Sequence, residues 1–512
     1  MEKLMRTSRR DVLKSTAALS GLIGTRDATG QSGSSEEYAG MPPTDEIFGW
    51  IEDLWRMGDR GKYGYRMPGT PEDHEAANYI EQKFRGFGLQ AVQREPVSIQ
   101  AAFPGRWSLT IQIGDKNEEL PCWFVRYAAF TPPQGITGEI VYVGQGSEKE
   151  FKEKNAQTNI AGKLVLVDLI SRGIRCSTYW PPNGTLFTYD PNKTLPDDMV
   201  SETWPLANVT SSIDLARRHG AIGYVGVLMD TAQNNCQEYH DAKVGNEVMS
   251  ALTVSPATGD YLKKHLAAGP VKATVVLTEQ PNPWRTERAG APAFGKWGIT
   301  YNIHGTLPGK TDEVIVVMSH HDGGATNEAS GASMVMALAK YFARAPSEAR
   351  QKTMLFLAVG SHFGLRAPIL EHGRKLAAVE DRIACLFNIE MIGRQYKLVN
   401  GRYVDTGLPA PRAFGVSHGN PRLTAFVRQA IEKHRLDRSV VSDHFIGEGG
   451  PLTRFGLTVV EHLSLNAPQF SRDDTPQTVM KEALRPVACA FADVINKVGP
   501  IPRSELRNDS QR

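Results

Sequence analysis

Val316-Val317-Met318-Ser319-His320-His321-Asp322-Gly323-Gly324-Ala325-Thr326-Asn327-Glu328-Ala329-Ser330-Gly331 reads as a buried strand, a polar glycine turn and the first residues of a helix. Residues 314–318 are uniformly apolar, as a strand covered on both faces must be. Met334, Val335, Leu338, Tyr341 and Phe342 then recur at three- and four-residue spacing, the period of an amphipathic helix. His320-x-Asp322 therefore stands at the end of a strand that feeds a helix, where open α/β sheets place their sites.

Outward from this segment the same alternation continues. Strand patterns at 353–359, 383–390 and 457–463 alternate with helical ones, which predicts a mostly parallel or mixed sheet covered by helices on both faces. Upstream, Ile47, Ile51 and Leu54, then Ala76, Ala77, Ile80 and Phe84 before Gly86-Phe87-Gly88, predict two helices separated by a turn. Residues 135–279 differ, with short β-rich pieces at 138–143, 164–169 and 224–228 around a helix at 213–219. Residues 171–208 are rich in Pro, Asn, Thr and aromatics (Tyr179, Trp180, Trp204) and long for a loop. They read as a surface excursion or as a lid or substrate wall.

The chain has 512 residues, which at ~150 residues per domain suggests about three domains. A net charge of +2 gives no reason to expect nucleic acid or an anionic surface as the main partner. Five cysteines with no Cys-x-x-Cys pair argue against a thiolate metal site and allow at most two disulfides. Thr7-Ser8-Arg9-Arg10-Asp11-Val12-Leu13-Lys14 precedes a weakly apolar run at 15–24 and resembles a twin-arginine export signal. The alternative is a disordered basic N-terminus. The run is shorter than the ~20 residues of a membrane span, and no later stable span is expected. Export predicts a periplasmic or secreted protein, with residues 29–40 as a flexible linker.

Several motifs carry a wider resemblance: Arg66-x-x-Gly69-Thr70 with Ala76-x-x-Tyr79-Ile80, His320-x-Asp322, Ala329-Ser330-Gly331, Phe363-Gly364-Leu365, Asn388-Ile389-Glu390-Met391-Ile392-Gly393, Ser442-Asp443-His444 and Asp474-Thr475-Pro476. Together they resemble the co-catalytic zinc exopeptidases, which include bacterial aminopeptidases, glutamate carboxypeptidase II and glutaminyl cyclase. Residues 160–168 and 214–225 resemble the protease-associated domain inserted in some of those proteins. The resemblance implies an α/β fold with a mixed central sheet flanked by helices and an inserted β-rich domain. The expected partition is signal and linker at 1–40, the first part of the peptidase-like domain at 41–134, the insert at 135–280, the rest of the peptidase-like domain at 281–500, and a polar, disordered tail at 501–512.

The resemblance also implies a ligand set, and this chain departs from it. His320 matches the first metal ligand and Asp322 the carboxylate that supports it. The bridging Asp falls on Thr326, and a neutral hydroxyl cannot screen two dications about 3.5–4 Å apart. The Glu-Glu pair falls on Ser361-His362, so the usual base is lost, although an imidazole can replace a carboxylate as ligand. Glu390 stands for Asp, and the late His falls on Phe470, with His462 a possible substitute or a core residue. What remains is His320, His362 and Glu390, a set suited to one divalent metal, zinc or alternatively iron. The opposing reading is a dead site of hydrogen-bonded histidines.

Glu328 and His444 are the candidate bases, His444 being better suited to support with Asp443. His321 should point away from the site. The expected function is an exported metal-dependent hydrolase of a peptide-like or other amide bond, acting on a peptide or small amide. The alternatives are a non-catalytic binding protein that keeps the cleft, or a single-metal enzyme of another class such as a cyclase.

Overall fold

Burial alternates between the two faces of the strand that ends at His320. Ile315 and Val317 enter a core packed by helices, while Val316 and Met318 enter a second cluster with Leu357, Val359, Leu386 and Leu452. The computed structural model describes residues 37–100, 103–203, 206–239, 248–280, 297–360, 362 and 380–508. Arg9 and Arg10, Ser361 and residues 363–365 lie outside the described residues.

The main sheet has nine strands. In chain order they are β1 (Gln90–Gln100), β2 (Thr185–Tyr189), β3 (Trp297–Leu307), β4 (Thr311–His320), β5 (Lys352–Val359), β6 (Ile383–Ile389), β7 (Arg412–Val416), β8 (Ser439–Ser442) and β9 (Val459–Leu463). Their spatial order is β1-β3-β5-β4-β6-β9-β7-β8-β2. The central β5, β4, β6 and β9 are parallel, and antiparallel pairs flank them, so the sheet is mixed. Five helices share one core against it: α1 (Thr44–Asp59), α2 (Pro71–Gly86), α3 (Ser330–Ala343), α4 (Pro421–Lys433) and α5 (Leu484–Val498). No helix of the described residues is long and apolar enough to cross a membrane.

A second sheet of eight strands is drawn from Pro104–Ile113, Lys116–Leu120, Trp123–Phe124, Ile136–Tyr142, Leu164–Leu169, Gly223–Leu228, Ala251–Val254 and Lys272–Glu279. It starts at Pro104, ahead of the boundary expected at 135. Three early strands whose pattern did not distinguish them from the main sheet pair with it instead. Residues 171–208 are not a plain excursion, because β2 pairs antiparallel with β8 and closes the edge of the main sheet.

Both chain ends of the described part depart from the flexible expectation. Residues 37–40 form a turn with Tyr38 buried, its hydroxyl bonded to Asp493 at 2.7 Å. Residues 503–508 form a short helix, α6 (Arg503–Asn508), in which Leu506 is fully buried. Its polar sequence hid a single apolar anchor and the Arg503 Nε bond to Glu380 O at 2.9 Å.

Candidate metal centre

Parallel strands β4, β5 and β6 deliver their C-terminal ends to one place. His320 is the last residue of β4, Glu390 follows β6, and His362 lies three residues beyond β5. Beyond β4 the chain makes one π-helical turn, Ala325–Ala329, before α3 begins. Within it Glu328 adopts φ +65°, left-handed backbone that a branched-off glutamate holds only at a cost of roughly 1–3 kcal/mol. The turn aims its carboxylate at the two histidines. Ser330 Oγ ties this turn to the segment after β6, donating to Thr326 O at 2.7 Å and accepting from Ile392 N at 2.9 Å. Gly331 lets the helix lie against the sheet, since a Cβ there would meet Ile389 O at 2.5 Å.

The glycine turn after His320 is clamped from behind by Arg66. This fully buried guanidinium donates to the carbonyls of His321 (2.6 Å), Gly324 (2.8 Å) and Leu54 (2.8 Å). His321 points the other way, as period 2 requires. Its Nε2 meets Tyr301 O at 3.0 Å and its Nδ1 lies 3.6 Å from Asp73.

Five side chains meet at the strand ends. His320 Nε2 lies 3.5 Å from Glu390 Oε2 and 3.2 Å from Glu448 Oε2, while its Nδ1 lies 3.3 Å from Glu328 Oε1. His362 Nδ1 is 2.9 Å from Glu328 Oε1, and its Nε2 is 2.8 Å from Glu448 Oε1. The two imidazole rings are 4.2 Å apart between centroids. His320, Glu328, Glu390 and Glu448 are buried, and His362 is partly so.

Such crowding perturbs every member. Burial opposes charge on His320, but Glu448 and Glu328 outweigh it and hold its pKa well above the ordinary value. Burial likewise works against charge on His362, yet Glu448 leads a balance that pushes it up to about 10. Burial lifts Glu328 to about 7 against the pull of both histidines. Glu390 is raised well above its usual range by burial and then by Glu448. Glu448 is held well below despite burial, by His362 and His320.

Two donor groups have ligand atoms within 4.8 Å of one another: His320 with Glu328 and His362, and His320 with Glu390 and Glu448. A divalent cation fits this chemistry, because two abutting buried carboxylates need a positive partner. Glu328 Oε2 also has no hydrogen-bond partner among the described residues.

The expected donors His320, His362 and Glu390 thus fall in one cluster, but not as one donor group: His320 belongs to both, with His362 in one and Glu390 in the other. Glu328 is in the cluster. His444 is not: it is exposed on the turn after β8, and its described bonds run only to Ser442. The turn carries its ring outward, so it is set aside as a base. Asp322 accepts the backbone N–H of His362 at 3.1 Å, so it positions that residue. His462 is a core residue, edge-on to Phe414 at 4.9 Å, its Nδ1 3.0 Å from Glu390 O. Burial pushes its pKa down to about 3. Phe470 is buried against Tyr239. Glu448 was missed by the reading of the sequence; its only signal is a lone acid in Gly447-Glu448-Gly449-Gly450.

Residues 302–446 match the model of peptidase family M28. Among solved structures, the chain is similar to a zinc aminopeptidase from Bacillus subtilis at 17% identity and TM-score 0.61, covering 89% of this chain and 95% of that one. It is also similar to a peptidase M28 precursor from Shewanella amazonensis, at 15% identity and TM-score 0.60, covering 90% and 100%. A third is an aminopeptidase from an Aneurinibacillus strain, at 18% identity and TM-score 0.53, covering 91% and 95%. Residues 302–446 therefore carry a peptidase family M28 domain, and the chain shares the fold of these aminopeptidase structures.

Proposed function

We propose that this protein is an exported, metal-dependent hydrolase that cleaves a peptide-like or other amide bond and uses one divalent ion, zinc by preference. The observation that carries the reading is the buried cluster of two imidazoles and three carboxylates at the ends of β4, β5 and β6. A divalent ion bound there supplies carbonyl polarisation and a water of lowered pKa. Glu328 is the proton acceptor, with Oε1 turned to the histidines and Oε2 left as an open lone pair. A single ion follows from the neutral Thr326 and from Phe470, which leave no bridging carboxylate and no late imidazole.

The test is removal of metal by chelation, followed by incubation with di- and tripeptides and N-acyl amides, with products read by mass spectrometry. Hydrolysis should vanish on chelation and return with zinc, and Glu328→Gln should lower kcat by roughly 10²–10⁴-fold, the usual span of a lost general base. Leucine anilides should be poor, because no second ion helps to seat a free amino terminus. Metal-independent binding without products would instead favour a non-catalytic protein. Export is tested apart from activity: Arg9→Lys with Arg10→Lys should retain the chain in the cytoplasm, and unchanged export would remove the twin-arginine route.

A further inference from the structure

A cavity of about 1020 Å³ opens between the second sheet and the main-sheet half, and none of the five side chains of the metal cluster lines it. One wall is Trp107 on the strand Pro104–Ile113, Trp123, and residues 232–237. The other is a two-stranded hairpin, Arg394–Val399 with Arg402–Pro409, together with the segment 468–478. The hairpin tip is pinned across the gap: Gln233 N donates to Gly401 O at 2.7 Å, and Tyr403 OH meets Thr231 Oγ1 at 3.1 Å. The cavity is therefore formed before any ligand arrives, and its size lies at the upper end of the roughly 300–1,000 Å³ usual for small-molecule sites.

We propose that this cavity binds a neutral oligosaccharide. Among the described residues its lining holds no Leu, Ile, Val, Met or Phe, so it gives no aliphatic surface to a lipid tail or to the side chains of a peptide. It is built instead of aromatic rings and planar polar groups. Trp107, Tyr396 and Tyr403 are half-buried, so each shows part of its ring. Contacts behind them fix the planes: Trp107 stacks on Tyr63 at 6.3 Å and meets Trp123 edge-on at 5.0 Å, and Tyr396 OH donates to Gln477 O at 3.2 Å. The face of an aromatic ring is its negative side, which attracts the weakly positive C–H face of a pyranose.

The polar groups suit the hydroxyls. Gln233, Asn234, Asn400, Arg402, Arg472 and Asp473 make no side-chain hydrogen bond or ion pair among the described residues. A carboxamide sets a donor beside an acceptor, a guanidinium offers two parallel donors and a carboxylate two acceptors, so each can pair with two adjacent hydroxyls at once. Charge separates a neutral sugar from a phosphate or another anion. An anion drawn to Arg472 would meet the carboxylate of its chain neighbour Asp473, and the Arg472 guanidinium is already seated over the Trp123 ring at 5.6 Å.

The experiment is isothermal titration of the full chain with three neutral tetrasaccharides, cellotetraose, maltotetraose and N-acetylchitotetraose, with saturation-transfer NMR to read which sugar protons touch the protein. At least one should bind, with transfer strongest at ring C–H protons, and chelation of metal should leave its affinity unchanged. Gln233→Ala and Arg402→Ala, exposed on opposite walls, should each weaken binding roughly 3–10-fold, as loss of one hydrogen bond implies. Trp107→Ala should weaken it roughly tenfold through loss of the ring, and Tyr396→Ala serves the same purpose should Trp107→Ala not fold. Binding of none of the three at concentrations up to about 10 mM overturns the proposal. So does an affinity that is unchanged in the ring and Arg402 variants, or one lost on chelation, which would put the sugar at the metal centre. Stronger binding of inorganic phosphate or of tetra-alanine than of any sugar, lost in Arg402→Ala, would give the cavity to an anion or a peptide instead.

Discussion

Thr326 shows how a fold absorbs a lost carboxylate. Its N–H donates to Asp474 Oδ1 at 2.9 Å, and its Oγ1 meets Thr478 Oγ1 at 2.6 Å and Asn466 Nδ2 at 3.0 Å. Asp474 is also bonded by Thr478 Oγ1 at 2.8 Å, so neutral hydroxyl and amide groups surround one acid here. Thr326→Asp therefore should not rebuild a two-metal site. It places a second buried carboxylate near Asp474, which should lower stability by about 1–3 kcal/mol, seen as a fall in Tm, with zinc content still at most one per chain. Two ions in that variant, or in the parent, would contradict the single-metal reading. His320 and Glu390 were legible in the sequence because they stand in motifs that end apolar strand runs, and Glu328 because it follows the altered bridging position of the resemblance. Glu448 was not, because a glycine-rich loop has no period and distant partners place it: Glu461 under the neighbouring amides, and His320 and His362 at its carboxylate.

At the scale of elements, apolar runs located the central strands to within a few residues. The apolar run 314–318 lies inside Thr311–His320, and residues 353–359 were expected where Lys352–Val359 is found. The edge strand β2 escaped, since Thr185–Tyr189 is short and half-exposed and owes its conformation to pairing with β8. The turn at residues 37–40 escaped for a related reason: it is ordered by distant partners. Tyr38 OH and His434 Nε2 both reach the Asp493 carboxylate on α5, at 2.7 and 2.8 Å, and Lys433 lies 3.1 Å from it. Burial opposes ionisation of Asp493, but the bonds from His434, Tyr38 and Lys433 prevail and set its pKa at about 2. A depressed carboxylate stabilises the fold above its unfolded pKa, about 3.9, and that contribution is lost as pH falls through about 2. Asp493→Asn should then cost about 1–3 kcal/mol in urea unfolding at pH 6, and the gap from the parent should narrow steadily between pH 4 and pH 2. A gap independent of pH would mean that packing, not charge, holds the N-terminal turn.

For the whole molecule, the question is whether the second sheet is a separable module. Its core also contains Met391, Ala413, Leu463, Leu465 and Phe470, all buried and all belonging to the main-sheet half. Contacts of the same kind reach the site's surroundings: Arg126, just past Trp123–Phe124, donates to Tyr239 O at 2.6 Å, and Tyr239 N donates to Phe470 O at 3.1 Å. The strand β2, carried within the same stretch of chain, covers the β8 edge. Fully burying each large apolar side chain is worth about 1.5–3 kcal/mol, so exposing four such residues and an open sheet edge removes an amount comparable to a domain's whole stability of about 5–15 kcal/mol. Replacing residues 104–279 by a short Gly/Ser linker should therefore leave a chain that does not fold, and the intact protein should unfold in urea in one transition, with tryptophan fluorescence and far-ultraviolet circular dichroism superimposing. Trp50 lies on α1 and Trp107 and Trp123 lie in the second sheet, so the fluorescence samples both halves and separate unfolding of either would split its transition. Two resolved transitions, or a soluble excised chain that still binds zinc, would show that the second sheet folds by itself and only leans on the metal-bearing half.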